Sequence, residues 1–187
     1  ATRKPTPAML KGLDAVVYDL QDTGCRSYTF ISTMGLAMEA CGEAGIEFIV
    51  LDRPNPLGGQ RVEGPMIEQE RFRSFVSQWD VPYVYGMTCG ELAQMINARR
   101  FNKRPCRLTV VPLRGWQRSM VWRDTGLPWV PASPHIPHGE SPLFQVATGM
   151  LGEIGGVSIG VGYTLPFQTI AAPKVDPQAL AAKLNGY

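Results

Sequence analysis

The 187 residues, 44% hydrophobic and 18% charged, suffice to bury one core and part of another, which excludes a disordered chain. Eighteen Lys and Arg against sixteen acids leave a net charge of +2, too small to recruit nucleic acid or an anionic membrane surface. No apolar run approaches the ~18 residues that cross a bilayer, and Ala1–Pro7 lacks the charged-then-apolar layout of a signal peptide, so any targeting segment is expected outside this chain.

Taken in order, Thr6-Pro7 has the form of an N-cap followed by Pro at the first helical position, opening a short helix that closes near Gly12. Asp14 to Leu20 is too short and too β-branched for a helix and reads as a buried strand. Ile31, Met34, Met38 and Cys41 recur at helical spacing, and Gly45 stands where a left-handed C-cap ends the helix. Ile46 to Leu51 reads as a second buried strand. From Asp52 to Gln78 the chain is rich in Pro, Gly and charge and has no regular period, which marks a functional loop.

Pro82 to Tyr85 is a short extended piece. Thr88-Cys-Gly-Glu91 has the layout of a capping box before Leu92, Met95 and Ile96, and Pro105 separates that helix from a strand at Leu108 to Leu113. Arg99, Arg100, Lys103, Arg104 and Arg107 gather at the helix end, where cations suit the dipole and the solvent, and read as a solvated face. Trp116, Trp122 and Trp129 punctuate a Pro-rich stretch, and the composition shifts near Thr125. The expected division is therefore 1–124 and 125–187. Asp176-Pro177 opens a last helix, and both chain ends read as cuts through a longer fold.

Strands alternating with helices predict an α/β chain with a mainly parallel sheet. In such sheets ligands bind beyond the carboxyl ends of the strands. There the first strand delivers Asp19, Asp22, Arg26 and Tyr28, and the second delivers Asp52, Arg53 and Asn55. If the strands are parallel neighbours, Asp19, Asp22 and Asp52 come within about 10 Å, a range in which two carboxyl groups share acid and base duties. Each has a structural alternative: Asp52 as a turn cap, Asp22-Thr-Gly24 as a turn, Arg26 as a neutralising partner. Glu63, held between glycines, serves either a ligand or an ion pair with Arg61. Ser133 and His135, near the tryptophans, offer polar partners beside flat apolar faces. The four cysteines are widely spaced with two histidines to join them, so no metal site is expected. Gly155, Gly156, Gly160 and Gly162 lack the spacing of a nucleotide cradle.

The same strings resemble the NamZ-type exo-β-N-acetylmuramidases. The resemblance runs through Asp19-Leu-Gln-Asp-Thr-Gly-Cys-Arg26, Leu51-Asp-Arg-Pro-Asn-Pro56, Val62-Glu-Gly-Pro65, Gly90-Glu-Leu-Ala93, Gly115-Trp-Gln-Arg-Ser-Met120, Thr125-Gly-Leu-Pro-Trp129, Ser133-Pro134 and Pro166-Phe167. It implies a Rossmann-like domain, incomplete at its N-terminal side, followed by part of a second α/β domain, with a muramic-acid-containing saccharide bound between them and no organic cofactor. It also implies export, as an extracellular, periplasmic or lipoprotein-anchored protein, and an acidic motif in the part that precedes this chain. On that basis Asp19 and Asp22 are the catalytic candidates, and Arg26, Tyr28, Asp52, Asn55, Glu63, Ser133 and His135 the substrate-binding ones. Tyr85, His135, Ile159 and Val161 depart from residues common in the family: His, Asn, Glu and Arg respectively. The expected activity is release of a terminal β-linked N-acetylmuramoyl residue. The alternative is a non-catalytic muropeptide-binding module, and nucleotide binding is a third reading by fold analogy alone.

Overall fold

The computed structural model describes residues 2–99 and 101–187, in two compact units, Ala1–Pro128 and Trp129–Tyr187. The first unit holds three parallel strands, β1 (Ala15–Tyr18), β2 (Glu47–Leu51) and β3 (Arg107–Val111), in the order β1-β2-β3. Among the described residues three α-helices accompany them: α1 (Pro7–Leu10), α2 (Phe30–Ala44) and α3 (Cys89–Ala98).

Register explains the core. Val16 pairs with Phe48 and Phe48 with Leu108, while Tyr18 pairs with Val50 and Val50 with Val110. Since alternate residues of a strand point to opposite faces, these six share one side. Ile31, Met34, Met38 and Cys41 of α2 and Cys89, Leu92, Ala93 and Ile96 of α3 pack against that side. The opposite side carries Val17, 56% exposed, and Val111, 47% exposed. The strands expected to be buried on both faces are thus half-covered, because α2 and α3 both pack on the same side.

Local chemistry sets the helix ends. Thr6 Oγ1 accepts from Met9 N and Pro7 opens α1. Gly45 ends α2 at φ 71°, donating its N–H to Cys41 O. Thr88 and Glu91 form both halves of the capping box on α3. Trp79 lies across Gly35 of α2 and donates Nε1 to Ile31 O at 3.0 Å, tying the long loop to the core. Arg99, Lys103, Arg104 and Arg107 face solvent, and Arg100 lies outside the described residues.

The second unit contains α4 (Ser141–Thr148), a 3-10 turn over Gly149–Glu153 and α5 (Pro177–Leu184), capped by Asp176. Isolated bridges join Ser133 to Ile136 and Ser158 to Ala171. Ile159, 7% exposed, packs on Gly152, where a Cβ would stand 2.5 Å from its Cδ1. No helix among the described residues is long and apolar enough to cross a membrane.

Candidate active site

The segment after β1 is held by backbone pairing. Cys25 and Glu63 both bridge Val84 in antiparallel fashion, and Arg26 N donates to Tyr83 O at 2.8 Å. Gln21 Nε2 fastens the start of the segment to Pro54 O at 2.9 Å. Asp22 therefore comes to rest between the end of β1 and the 83–85 strip. It is 4% exposed.

Its Oδ2 accepts from Gly24 N at 2.8 Å and from the Tyr85 hydroxyl in a short contact. Its Oδ1 is buried without a partner. Burial pushes the Asp22 carboxyl from its ordinary 3.8 to about 7, against the opposing pull of the bonds from Tyr85, Gly24 and Thr23. A buried carboxyl that exchanges its proton near neutrality has the property required of a general acid. Beside it is a crevice of about 10 Å³, lined by Gly24, Arg53, Pro54, Asn55, Tyr85, Met87 and Cys89. That is room for about one water molecule.

The other acids at this edge are differently placed. Asp19, half exposed, forms an ion pair with Arg53 at 2.7 Å, and Arg53 also lines the crevice, so Asp19 stands at its rim. Asp52 directs both oxygens into the start of α3: Oδ1 accepts from Gly90 N at 2.8 Å and from Arg53 N at 3.0 Å, and Oδ2 from the Thr88 hydroxyl at 2.7 Å. Gly90 permits this approach, since a Cβ there would sit 2.8 Å from Asp52 Cγ. Asp52→Ala is expected to destabilise the fold by about 1–3 kcal/mol, read by denaturant unfolding, because it orphans the α3 donors. An unchanged midpoint would contradict this capping role.

Asn55 is buried under Gly24, donating Nδ2 to Met87 O and accepting from Leu57 N, both at 2.9 Å. Tyr28 packs against Phe30 with ring centroids 4.6 Å apart and the ring planes tilted by 52°. Glu63 is exposed and pairs with Arg61 at 3.8 Å. Arg26 is buried and donates to Pro65 O and Val81 O. In the second unit, Ser133 Oγ accepts from His135 N at 3.2 Å, with His135 exposed. The structure thus brings Asp22, Asn55 and the Asp19–Arg53 pair to one edge of the first unit, and it turns Asp52 inward.

Sequence reasoning missed two members. Tyr85, at the end of the extended piece from Pro82, is the hydrogen-bond partner of Asp22. Arg118 donates Nη1 to Gly59 O at 3.1 Å and Gly86 O at 3.0 Å, and Nη2 to Glu91, joining two loops to the cap of α3. The Gly-Trp-Gln-Arg string was the available signal for it. Among the described residues no group of three or more His, Cys, Asp or Glu side chains gathers to hold a metal.

Comparison with known proteins gives consistent matches. The family profile described as exo-beta-N-acetylmuramidase NamZ, N-terminal, matches residues 1–140, and that described as exo-beta-N-acetylmuramidase NamZ, C-terminal, matches 145–187. The chain is 47% identical over 184 residues to the peptidoglycan beta-N-acetylmuramidase NamZ of Bacillus subtilis (strain 168), covering 98% of this chain and 44% of that protein. It superposes on the crystal structure of a DUF1343 family protein from Bacteroides fragilis NCTC 9343 with a TM-score of 0.94 and 56% identity, covering 98% of this chain and 48% of the other. A second DUF1343 structure from the same organism gives 0.83 and 37%, covering 92% and 47%. The chain spans about half the length of these relatives.

Proposed function

Because the chain belongs to the exo-β-N-acetylmuramidase NamZ family, we propose that the protein carrying it hydrolyses a terminal β-linked N-acetylmuramoyl residue from peptidoglycan fragments, with Asp22 as general acid. The observation that carries this role is the buried Asp22 carboxyl, which has one oxygen without a hydrogen-bond partner and lines a crevice of about 10 Å³. Protonated Asp22 gives its proton to the leaving glycosidic oxygen as the oxocarbenium-like transition state forms. The sugar ring, too large for the crevice, lies across its mouth. Asp19, held by Arg53 at the rim, is the second carboxylate at this edge. By the same family reasoning, the protein acts outside the cytoplasm.

The test is release of muramic acid from a chromogenic muramide by the full-length protein. Tyr85→Phe bears on the role of the acid. The Tyr85 hydroxyl favours the ionised form of Asp22, so its removal raises the Asp22 pKa further. The alkaline limb of kcat/KM against pH is then expected to move to higher pH. A limb that stays in place, or moves down, would contradict the assignment.

One observation favours a second reading, saccharide binding without turnover. Ile159 and Val161 line a pocket of about 530 Å³ in the second unit, where many family members carry a carboxylate and a guanidinium. Saturable binding of N-acetylmuramic acid with no product over long incubation would support it.

A further inference from the structure

Arg26 is a buried cation without an anion. It is 8% exposed, and its two acceptors are backbone carbonyls: Nη1 donates to Pro65 O at 2.7 Å and to Val81 O at 2.6 Å. Its Nε is buried with no acceptor. The Tyr83 ring lies 6.0 Å from the guanidinium carbon. No ion pair among the described residues includes Arg26; the neighbouring acid Asp80 is exposed and beyond salt-bridge distance. Carbonyl dipoles satisfy N–H groups but leave the net charge uncompensated, and buried charges in proteins are ordinarily paired.

A pocket of about 250 Å³ opens beside this guanidinium. Pro65, Met66, Ile67 and Phe72 give it apolar walls, Ser77 a hydroxyl, and Glu68 an acid on the exposed 65–72 loop. The occupant that suits these walls is a small anion carried on a short alkyl group. Asp22 is four residues away along a segment bent at Gly24, so the Cα atoms of Asp22 and Arg26 are separated by no more than ~14 Å.

We propose that this pocket binds a carboxylate borne on a short alkyl branch of the saccharide, with the Arg26 guanidinium as its counter-ion. The inference rests on the muramidase reading, in which that branch is the lactyl ether that separates N-acetylmuramic acid from N-acetylglucosamine. The guanidinium supplies the counter-charge, and Met66, Ile67 and Phe72 cover the lactyl methyl.

The experiment is calorimetric titration of the full-length protein with N-acetylmuramic acid and with its lactyl methylamide. The acid is expected to bind about ten- to a hundredfold more tightly, the range of one charge-assisted contact. Arg26→Ala removes two loop clamps and is a poor test by itself. Ser77→Asp instead places a carboxylate in the pocket, and it should abolish the preference for the acid. Glu68→Gln should widen the preference by removing a repelling charge. Equal binding of acid and amide, or a preference that Ser77→Asp leaves intact, overturns the inference. If the chromogenic muramide is hydrolysed while acid and amide bind alike, only the carboxylate pocket falls. If muramic acid sugars are neither bound nor hydrolysed, both readings fall.

Discussion

Asp22→Asn is expected to lower kcat/KM of the full-length protein about a thousandfold, the middle of the range for loss of a general acid. The same substitution is expected to stabilise the fold above pH 7. Wild-type Asp22 has a folded pKa near 7 against an ordinary 3.8, so between those values the folded state holds a proton that the unfolded chain has released. Stability therefore falls as pH rises from about 4 to about 7. The loss is complete above the folded pKa and on the order of 4 kcal/mol. Asparagine carries no charge at any pH and keeps an acceptor for Gly24 and Tyr85, so the variant lacks this decline. Loss of activity together with a gain in high-pH stability separates a catalytic acid kept at a cost from an ordinary structural aspartate. Retained turnover, or a variant less stable than wild type at pH 8, would remove Asp22 from the mechanism.

Gly24→Ala carries the largest expected structural effect, about 3–5 kcal/mol. Gly24 has φ 78°, a left-handed conformation that penalises any side chain, and a Cβ there would stand 2.2 Å from Asn55 Oδ1. Asn55 has little freedom to yield. It is 4% exposed, and its amide is fixed by Met87 O and Leu57 N. At roughly 2–4 °C per kcal/mol for a chain of this size, Tm drops by about 6–20 °C. Gly12→Ala isolates the clash, since Gly12 has a similar φ of 81° with nothing within 4 Å of its Cβ position. It should cost only about 1–2 kcal/mol of left-handed strain. Equal shifts in the two variants would show that packing on Asn55 contributes nothing.

What the sequence disclosed follows the range of each signal. The α3 capping box and the Gly45 C-cap are local, with their partners a few residues apart, and both stand where composition and spacing predict them. The parallel pairing of β1 with β2 also follows from the strand–helix alternation. The number of covered sheet faces is not a local property. An apolar strand such as β1 reads alike whether helices pack on one side or both, and here Val17 is left exposed. Likewise, three aspartates clustered at one edge do not reveal which is committed elsewhere. The Thr88 and Gly90 groups that engage Asp52 are more than thirty residues away in sequence, and the Tyr85 that bonds Asp22 is 63 away. Arg26 shows a further limit: Asp22, four residues away, is the acid that proximity along the chain suggests, whereas its acceptors are two distant carbonyls.

The mechanism depends on one buried carboxyl holding its proton near neutral pH. Titration of the aspartate side-chain carboxyl carbons by NMR in the full-length protein, with the Asp22 resonance assigned by its loss in Asp22→Asn, reads this directly. The predicted result is a midpoint near 7 for Asp22 that rises in Tyr85→Phe. A midpoint near 4, unchanged by removal of the Tyr85 hydroxyl, would contradict the account.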